Sequence, residues 1–425
     1  MKLKYLRFFN SYKSFLDQLI FYSFLLVIIT YPFTINLNSI TLILLFTLSL
    51  IKLYFTKSVK TSPLITLFYL FFISRLVSLC YTQNMDDGIR IIERSLSLIV
   101  LPFIFMVNQN LLFQKVKIIK VLSISSFIAC LYCLFRNFYF FISNNIPSKW
   151  WLDWKYNNYH LSKYLDFGPN YFSTLIMINL ICTYFFKKKL NRLYWILIIV
   201  QLFFLLLLSS RGIILFFAAF SFILFIKAAY VRYNFLGVIS SVIIIIGLTY
   251  TTLESIPVLN SRFKKSLTEL KSENSTKGHV GGLYNRFKKI EASTTIIQKN
   301  PLLGVGIGDV RIALREQYVL MDFKEGIKRS FDAHNQYLQS LLASGIFGFV
   351  SFTSILLYGL YRAIISRDML YFSLISLFMF FALLESFMET HKGIVLASIV
   401  ILLFFPFNDD KAAKYSIKSP IRYYK

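Results

Sequence analysis

Residues 195–217 read WILIIVQLFFLLLLSSRGIILFF. The first sixteen carry no charge, and a second apolar run starts again after Arg211 and Gly212. An apolar helix needs about 17–25 residues to cross the hydrocarbon core of a bilayer. Two such runs separated by only Ser209, Ser210, Arg211 and Gly212 therefore read as two spans joined by a tight turn. The rest of the 425-residue chain agrees, with 56% hydrophobic residues and a mean hydropathy of +0.62. That balance excludes a soluble domain and predicts an all-α polytopic membrane protein. Twelve candidate spans follow, at about 15–32, 35–55, 63–82, 89–107, 117–142, 169–186, 193–209, 212–228, 235–253, 334–361, 370–388 and 392–407.

A formal charge of +26 would suggest nucleic acid in a soluble chain. Here most Lys and Arg lie in short clusters between apolar runs, so they read as topology signals and no nucleic-acid partner is expected. With the basic N-terminus placed in the cytoplasm, the clusters Lys52/Lys57/Lys60, Lys115/Lys117, KKKLNR at 187–192, Lys227/Arg232, Arg362/Arg367 and the tail 408–425 all fall on the cytoplasmic side. The opposite connections, YPFTINLN, YTQNMDDG, the Trp-rich NNIPSKWWLDWKYNNYHLSKYLDFGPN and METHKG, carry little net positive charge. The N-terminal run lacks a small-residue cleavage site and reads as a retained first span. Cys80, Cys130, Cys133 and Cys182 lie in or beside apolar runs and suggest no disulfide framework.

One segment breaks the alternation. Spans one to nine fill 1–253 and spans ten to twelve fill 334–407, but 254–333 is a long outer loop of mixed polarity, exempt from the charge rule because of its length. Its sequence predicts a helix over 284–298, a Pro/Gly turn over 300–308 and a second helix over 309–320, and so an ordered cap. There is no half-against-half repeat of the kind many transporters carry.

Three residues stand out chemically. His334 opens the stretch HNQYLQSLLASGIFGF; spacing puts it on one helical stripe with Tyr337, Leu338, Leu341, Gly345 and Gly348, with Asn335 on the adjoining stripe. Gly345 on this reading lets another helix approach closely. Such a histidine can also merely anchor a helix end. Arg211 lies at an outer-side turn, against the usual bias for Arg, where a charge within the boundary calls for an anionic partner or for snorkelling to headgroups. Arg286 stands in the long loop beside Lys288 and Lys289, a setting equally suited to a solvated face. Arg75, Arg136, Arg90, Glu93 and Arg94 read as structural pairs or secondary anion contacts. The GVGIGD at 304–309 lacks the preceding strand that gives a dinucleotide loop its meaning, and no His/Cys cluster has metal-ligand spacing. No cofactor is expected, and any chemistry reads as metal-independent.

Taken together, NPLLGVGIGD at 300–309, HNQYLQSLLASGIFG at 334–348, LLESFMETHKGIVLASIVILLFF at 383–405, SSRG at 209–212 and PNYFSTL at 169–175 resemble the core of the O-antigen ligase and O-antigen polymerase superfamily. The resemblance covers roughly 165–405. It implies a bundle of about twelve spans with a large periplasmic loop, in the bacterial inner membrane. It also implies a lipopolysaccharide-type glycosyltransferase that moves a glycan from an undecaprenyl-diphosphate-linked donor to an acceptor hydroxyl on the periplasmic face. The acceptor is the lipid A core or another surface glycan for a ligase, and a further repeat unit for a polymerase. The family's essential histidine carries over onto His334 and its essential arginines onto Arg211 and Arg286; Asn335 is added as a substrate contact. An imidazole can take the acceptor's proton near neutral pH, and guanidiniums can hold the diphosphate. The single long late loop favours the ligase. A twelve-span transporter is the minor alternative, disfavoured because the carboxylates Glu385 and Glu389 lie towards the outer end of span eleven and not mid-membrane.

Overall fold

The computed structural model describes residues 2–153, 155–191, 193–226, 230, 247 and 282–407, with side chains from Phe15 onward. Among these residues there are α-helices and short 3-10 turns and no strand. In chain order the principal helices are α1 (Lys2–Thr30), α2 (Ile35–Thr56), α3 (Pro63–Leu79), α4 (Met85–Ser95), α5 (Ser97–Val107), α6 (Lys115–Ser143), α7 (Pro169–Phe186), α8 (Leu193–Leu208), α9 (Arg211–Ile226), α10 (Gly282–Lys299), α11 (Val310–Leu320), α12 (Gln336–Ile365), α13 (Met369–Ala382) and α14 (His391–Phe404). The span expected at 235–253 and most of the loop before 282 lie outside the described residues.

Among the described residues, three helical stretches are both long and apolar enough to cross a membrane, Ile35–Thr56, Gln109–Ser143 and Gln336–Ile365. Six shorter apolar helices accompany them, among them Pro63–Leu79 and Arg211–Ile226. The span expected at 89–107 is instead two 11-residue helices, α4 and α5, broken at Leu96. Only α5 is apolar throughout; α4 opens with Asp86 and Asp87 and is capped by the Asn84 side chain. The carboxylates expected within span eleven lie beyond its end, because α13 stops at Ala382 and Glu385 and Glu389 occupy the connection to α14.

One apolar core joins the bundle, with Phe24, Phe68, Phe105, Phe172, Phe204, Phe352 and Phe378 all fully buried. Helix α12 is its hub, packing against α3 and α13, while α14 lies on α5 and α7 links α6 to α13. A second, smaller core of Ile296, Ile307, Val310, Leu314, Tyr318, Phe323 and Leu342 fastens α10 and α11 onto the start of α12. The helices and the turn expected over 284–320 are thus present, and they pack as a cap on one end of the bundle.

What seats the cap is a break in α12. Ser344 and Gly345 leave the helical region, with Gly345 at φ 59°. That break frees backbone groups inside an apolar bundle, where each must find another partner. The loop 301–305 supplies them: Val305 N donates to Leu342 O at 2.7 Å, and Ile346 N reaches Pro301 O and Leu302 O at 3.2 Å. A Cβ on Gly345 would meet Leu302 O at 2.0 Å. The glycine therefore admits a strand of loop backbone rather than the neighbouring helix expected from its spacing. The rest of the glycine loop is tied down at its far side, where Asp309 accepts from Gln83 N (2.7 Å) and Asn84 N (2.8 Å).

Candidate functional site

His334 does not ride on a helix stripe. It precedes the helix in the left-handed region at φ 43°, a conformation that costs a non-glycine residue on the order of 1–3 kcal/mol and clusters at functional sites. The following residue, Asn335, is the N-cap of α12, its side-chain oxygen accepting from Tyr337 N (2.9 Å) and Leu338 N (3.2 Å). That oxygen is committed to starting the helix. The strained backbone at 334 turns the imidazole away from the helix axis and into a polar cluster.

Within the cluster, His334 Nδ1 lies 3.0 Å from Glu385 Oε2. Asn170 Nδ2 donates to the other oxygen of Glu385, and Ser210 Oγ donates to Asn170 Oδ1 at 2.5 Å. A relay thus runs from the α8–α9 turn through the first turn of α7 to the imidazole. On the other side of the ring, Asp332 Oδ1 accepts from the His334 backbone N at 3.0 Å and stands 3.4 Å from Nε2. With a carboxylate on Nδ1, the Nδ1–H tautomer is favoured and Nε2 carries the lone pair.

Electrostatics follow from these neighbours. Burial opposes charge on His334, but the hydrogen bond and charge of Glu385, aided by Asp332, hold its pKa above the ordinary imidazole value. Burial likewise opposes charge on Glu385, yet the hydrogen bond from His334, its charge, the amide of Asn170 and Lys289 together keep the carboxyl below the usual range. Asp332, whose side chain keeps 43% of its surface, is pushed up chiefly by the partial burial of its carboxyl, against the pull of His334. Lys289 is lowered to about 8 by burial, despite Asp332 and Glu385, with Arg286 adding repulsion.

The two candidate arginines approach this cluster from different elements. Arg211 is the first residue of α9 and is exposed; its Nη1 comes within 3.8 Å of where a Cβ on Gly282 would stand. Gly282 and Arg286 are four residues apart on α10, and so share a face of that helix. Arg286 is in turn close enough to Lys289 to repel its charge. Arg211 and Arg286 thus lie near the same stretch of α10, and Lys289 on that helix is close enough to His334 to repel its charge.

Of the remaining charged candidates, Arg75, Arg136 and Arg90 have contacts within the fold. Arg75 makes a two-pronged pair with Glu389, at 3.0 and 2.7 Å, with side chains 3% and 12% exposed. Arg136 lies over the Tyr164 ring, and Arg90 pairs with Asp87 on the surface at 3.5 Å. Sequence reasoning missed Glu385, Asn170, Asp332 and Lys289 as members of the cluster. For Glu385 a signal existed: an ionisable residue beside a membrane helix is a site hypothesis by default. Asn170 gave none beyond standing in PNYFSTL.

A partly exposed imidazole paired with the buried Glu385 carboxylate, with Lys289 close by, thus stands at one end of an apolar helical bundle. Residues 173–353 match the family model described as O-antigen ligase, which supports the O-antigen ligase and polymerase superfamily for this chain. The match takes in Arg211, Arg286 and His334, and stops short of Asn170 and Glu385. Among curated proteins, none matches the chain.

Proposed function

We propose that the protein is an O-antigen ligase-like glycosyltransferase of the bacterial inner membrane. It takes a glycan from an undecaprenyl-diphosphate carrier and joins it to a hydroxyl of the lipid A core, or of another surface acceptor, on the periplasmic face. The observation that carries this reading is the His334 Nδ1–Glu385 Oε2 contact of 3.0 Å. It supports Nε2 as the base that serves the acceptor hydroxyl.

In the step itself the acceptor oxygen attacks the anomeric carbon and its proton passes to His334 Nε2. The bond from that carbon to the diphosphate oxygen breaks, and the electron pair leaves with the diphosphate. Arg211 and Arg286 offset the charge that grows there, which is the largest single contribution such a site can make. Asp332, 3.4 Å from Nε2, steadies the imidazolium. The energy resides in the sugar–diphosphate bond, so the reaction needs no nucleotide.

The test is the glycan profile of cells carrying His334→Ala, with the protein shown to be in the membrane at its normal level. A ligase leaves full-length chains stranded on the undecaprenyl carrier and none on the surface acceptor. Single repeat units on that acceptor would instead identify a polymerase. Wild-type glycans in both pools would remove His334 from the chemistry.

A further inference from the structure

Helix α10 presents two adjacent lysines that the fold treats differently. Lys288 is partly exposed and pairs with Glu291 one turn on, Nζ to Oε2 at 2.9 Å. Lys289 is turned inward and is only 6% exposed. Among the described residues its ammonium has no hydrogen bond and no carboxylate within ion-pair distance; its contact is the face of Phe331, 4.7 Å from the ring centre. Phe331 in turn stands edge-on to the His334 ring, centroids 5.8 Å apart. A largely buried ammonium whose head lacks a protein hydrogen-bonding partner is costly unless something else supplies the partner. Cation–π contact recovers only part of what a buried charge loses on leaving water.

The surroundings say what the partner is. The charged groups facing Lys289 are Arg286 on its own helix, Asp332 and His334 from the segment before α12, and Glu385 from the α13–α14 connection. Among the described residues, with Arg211 across from Gly282, the fixed charges are three cations, Arg211, Arg286 and Lys289, against two carboxylates, Asp332 and Glu385. Protonating His334 raises the excess from one positive charge to two. A region with that excess and an ammonium without a hydrogen-bonding partner suits a doubly charged anion. Resting on the proposed function, we infer that Lys289 is a third phosphate ligand of the site, donating to an oxygen of the donor's diphosphate alongside Arg211 and Arg286.

The ligand class, a lipid phosphate, has two possible sources, the prenyl diphosphate donor and an anionic phospholipid headgroup. The full chain in nanodiscs of zwitterionic lipid should therefore be titrated calorimetrically with a short-chain prenyl diphosphate and with the matching monophosphate. Lys289→Met should weaken diphosphate binding about tenfold at pH 7, which is ~1.4 kcal/mol, and leave the monophosphate within about twofold. Because the ammonium loses its proton near pH 8, wild-type affinity for the diphosphate should fall between pH 7 and pH 9. Lys289→Arg should restore binding at pH 7 and flatten that fall, which a purely structural lysine would not do. Equal diphosphate affinity in wild type and Lys289→Met would overturn the inference while leaving the donor reading intact. Wild type that binds no prenyl diphosphate would instead sink the donor reading itself. Loss of the mutant's deficit in zwitterionic discs and its appearance only with anionic lipid would assign Lys289 to a headgroup and refute its place on the donor.

Discussion

Glu385→Gln is the sharpest perturbation of the proposed mechanism, because it keeps the shape and removes the charge. At 3.0 Å from Nδ1 a carboxylate and an imidazolium attract by about 5–6 kcal/mol at an effective dielectric of 20. Much of that offsets desolvation, and a hydrogen bond to a charged group contributes on the order of 1.5–3 kcal/mol net. If that is lost only in the transition state, when His334 has taken the proton, kcat/KM should fall about 10–150-fold. The amide of Gln also offers a donor where His334 Nδ1–H donates, so the imidazole is pressed towards the tautomer with its lone pair on the wrong nitrogen. A second signature follows from the raised pKa of His334, which Glu385 sustains against burial. The acid limb of the rate profile should stand above 6.5 in wild type and move to lower pH in the variant, so the deficit at pH 6 is smaller than at pH 8. The assay is transfer from a purified lipid-linked glycan to acceptor, run from pH 5.5 to 8.5 with the protein in detergent. A variant within twofold of wild type, with an unmoved acid limb, would falsify the pairing of Glu385 with the base.

Other expectations follow from the same geometry. Arg211→Ala and Arg286→Ala should each lower turnover about 10²–10³-fold, as when one preorganised donor is lost, with Lys rescuing only in part because it lacks the planar fork; full activity in either would remove that arginine from the site. The ion pair should show in stability as well. His334, raised in the fold, contributes below about 6.5 and loses the contribution as pH rises through its folded pKa; Glu385, lowered in the fold, contributes above about 4.5 and loses it as pH falls through its own. The thermal-stability gap between wild type and Glu385→Gln should therefore be widest at pH 4.5–6.5, and a gap that keeps widening towards pH 9 would contradict the assignment. Leu320, 77% exposed at the end of α11, should after replacement by Cys react with a membrane-impermeant thiol reagent from the periplasmic side. Reaction only after permeabilisation would invert the topology. Gly345→Ala forces a Cβ into Leu302 O and should unseat the cap, measured as lost membrane-protein yield and activity together; normal yield and activity would mean the break in α12 is not needed.

The class of fold was legible because hydropathy and helix length are local: an apolar run in a membrane must satisfy its backbone hydrogen bonds within itself, as a helix does. The stretch 284–320 was legible too, its helical period and its Pro/Gly interruption lying in contiguous sequence. What failed was geometry that depends on distant partners. The helix stripe drawn from His334 through Gly345 assumed a continuous helix, and the backbone leaves it at both places: at His334 because Asn335 caps the helix after it, and at Ser344–Gly345 because loop 301–305 supplies the hydrogen bonds the break sets free. Nor does anything in LLESFMETHKG say that Glu385 meets a histidine 51 positions earlier, while Glu389 meets Arg75 314 positions away. Carboxylates four residues apart look equivalent in sequence and acquire different tasks only through the partners the fold brings to them.

That difference explains how a relay built on a helix connection can hold its geometry. Residues 383–390 form no full helical turn of their own beyond the 3-10 segment Phe387–Glu389, so the position of Glu385 must be fixed from outside. Arg75 does this through its two-pronged bond to Glu389, assisted by Gln336, which accepts from Met388 N at 2.8 Å and donates towards Glu389 at 3.4 Å. Gln336 is the first residue of α12, two places after His334. The same side chain thus locks the carboxylate-bearing connection to the base-bearing helix start, and rotation of one relative to the other would break buried bonds on both. Removing Arg75 would leave Glu389, 12% exposed, with only the Gln336 amide facing it among the described residues, a change approaching the about 3–5 kcal/mol of fully buried pairs. Arg75→Ala should therefore destabilise the membrane-embedded protein and disorder Glu385 with it, although Arg75 is paired with Glu389 and not with the base. Arg75→Met with Glu389→Leu, which removes both charges together, should recover stability and part of the activity. A double variant as inactive and unstable as Arg75→Ala alone would show that Arg75 does more than brace the connection.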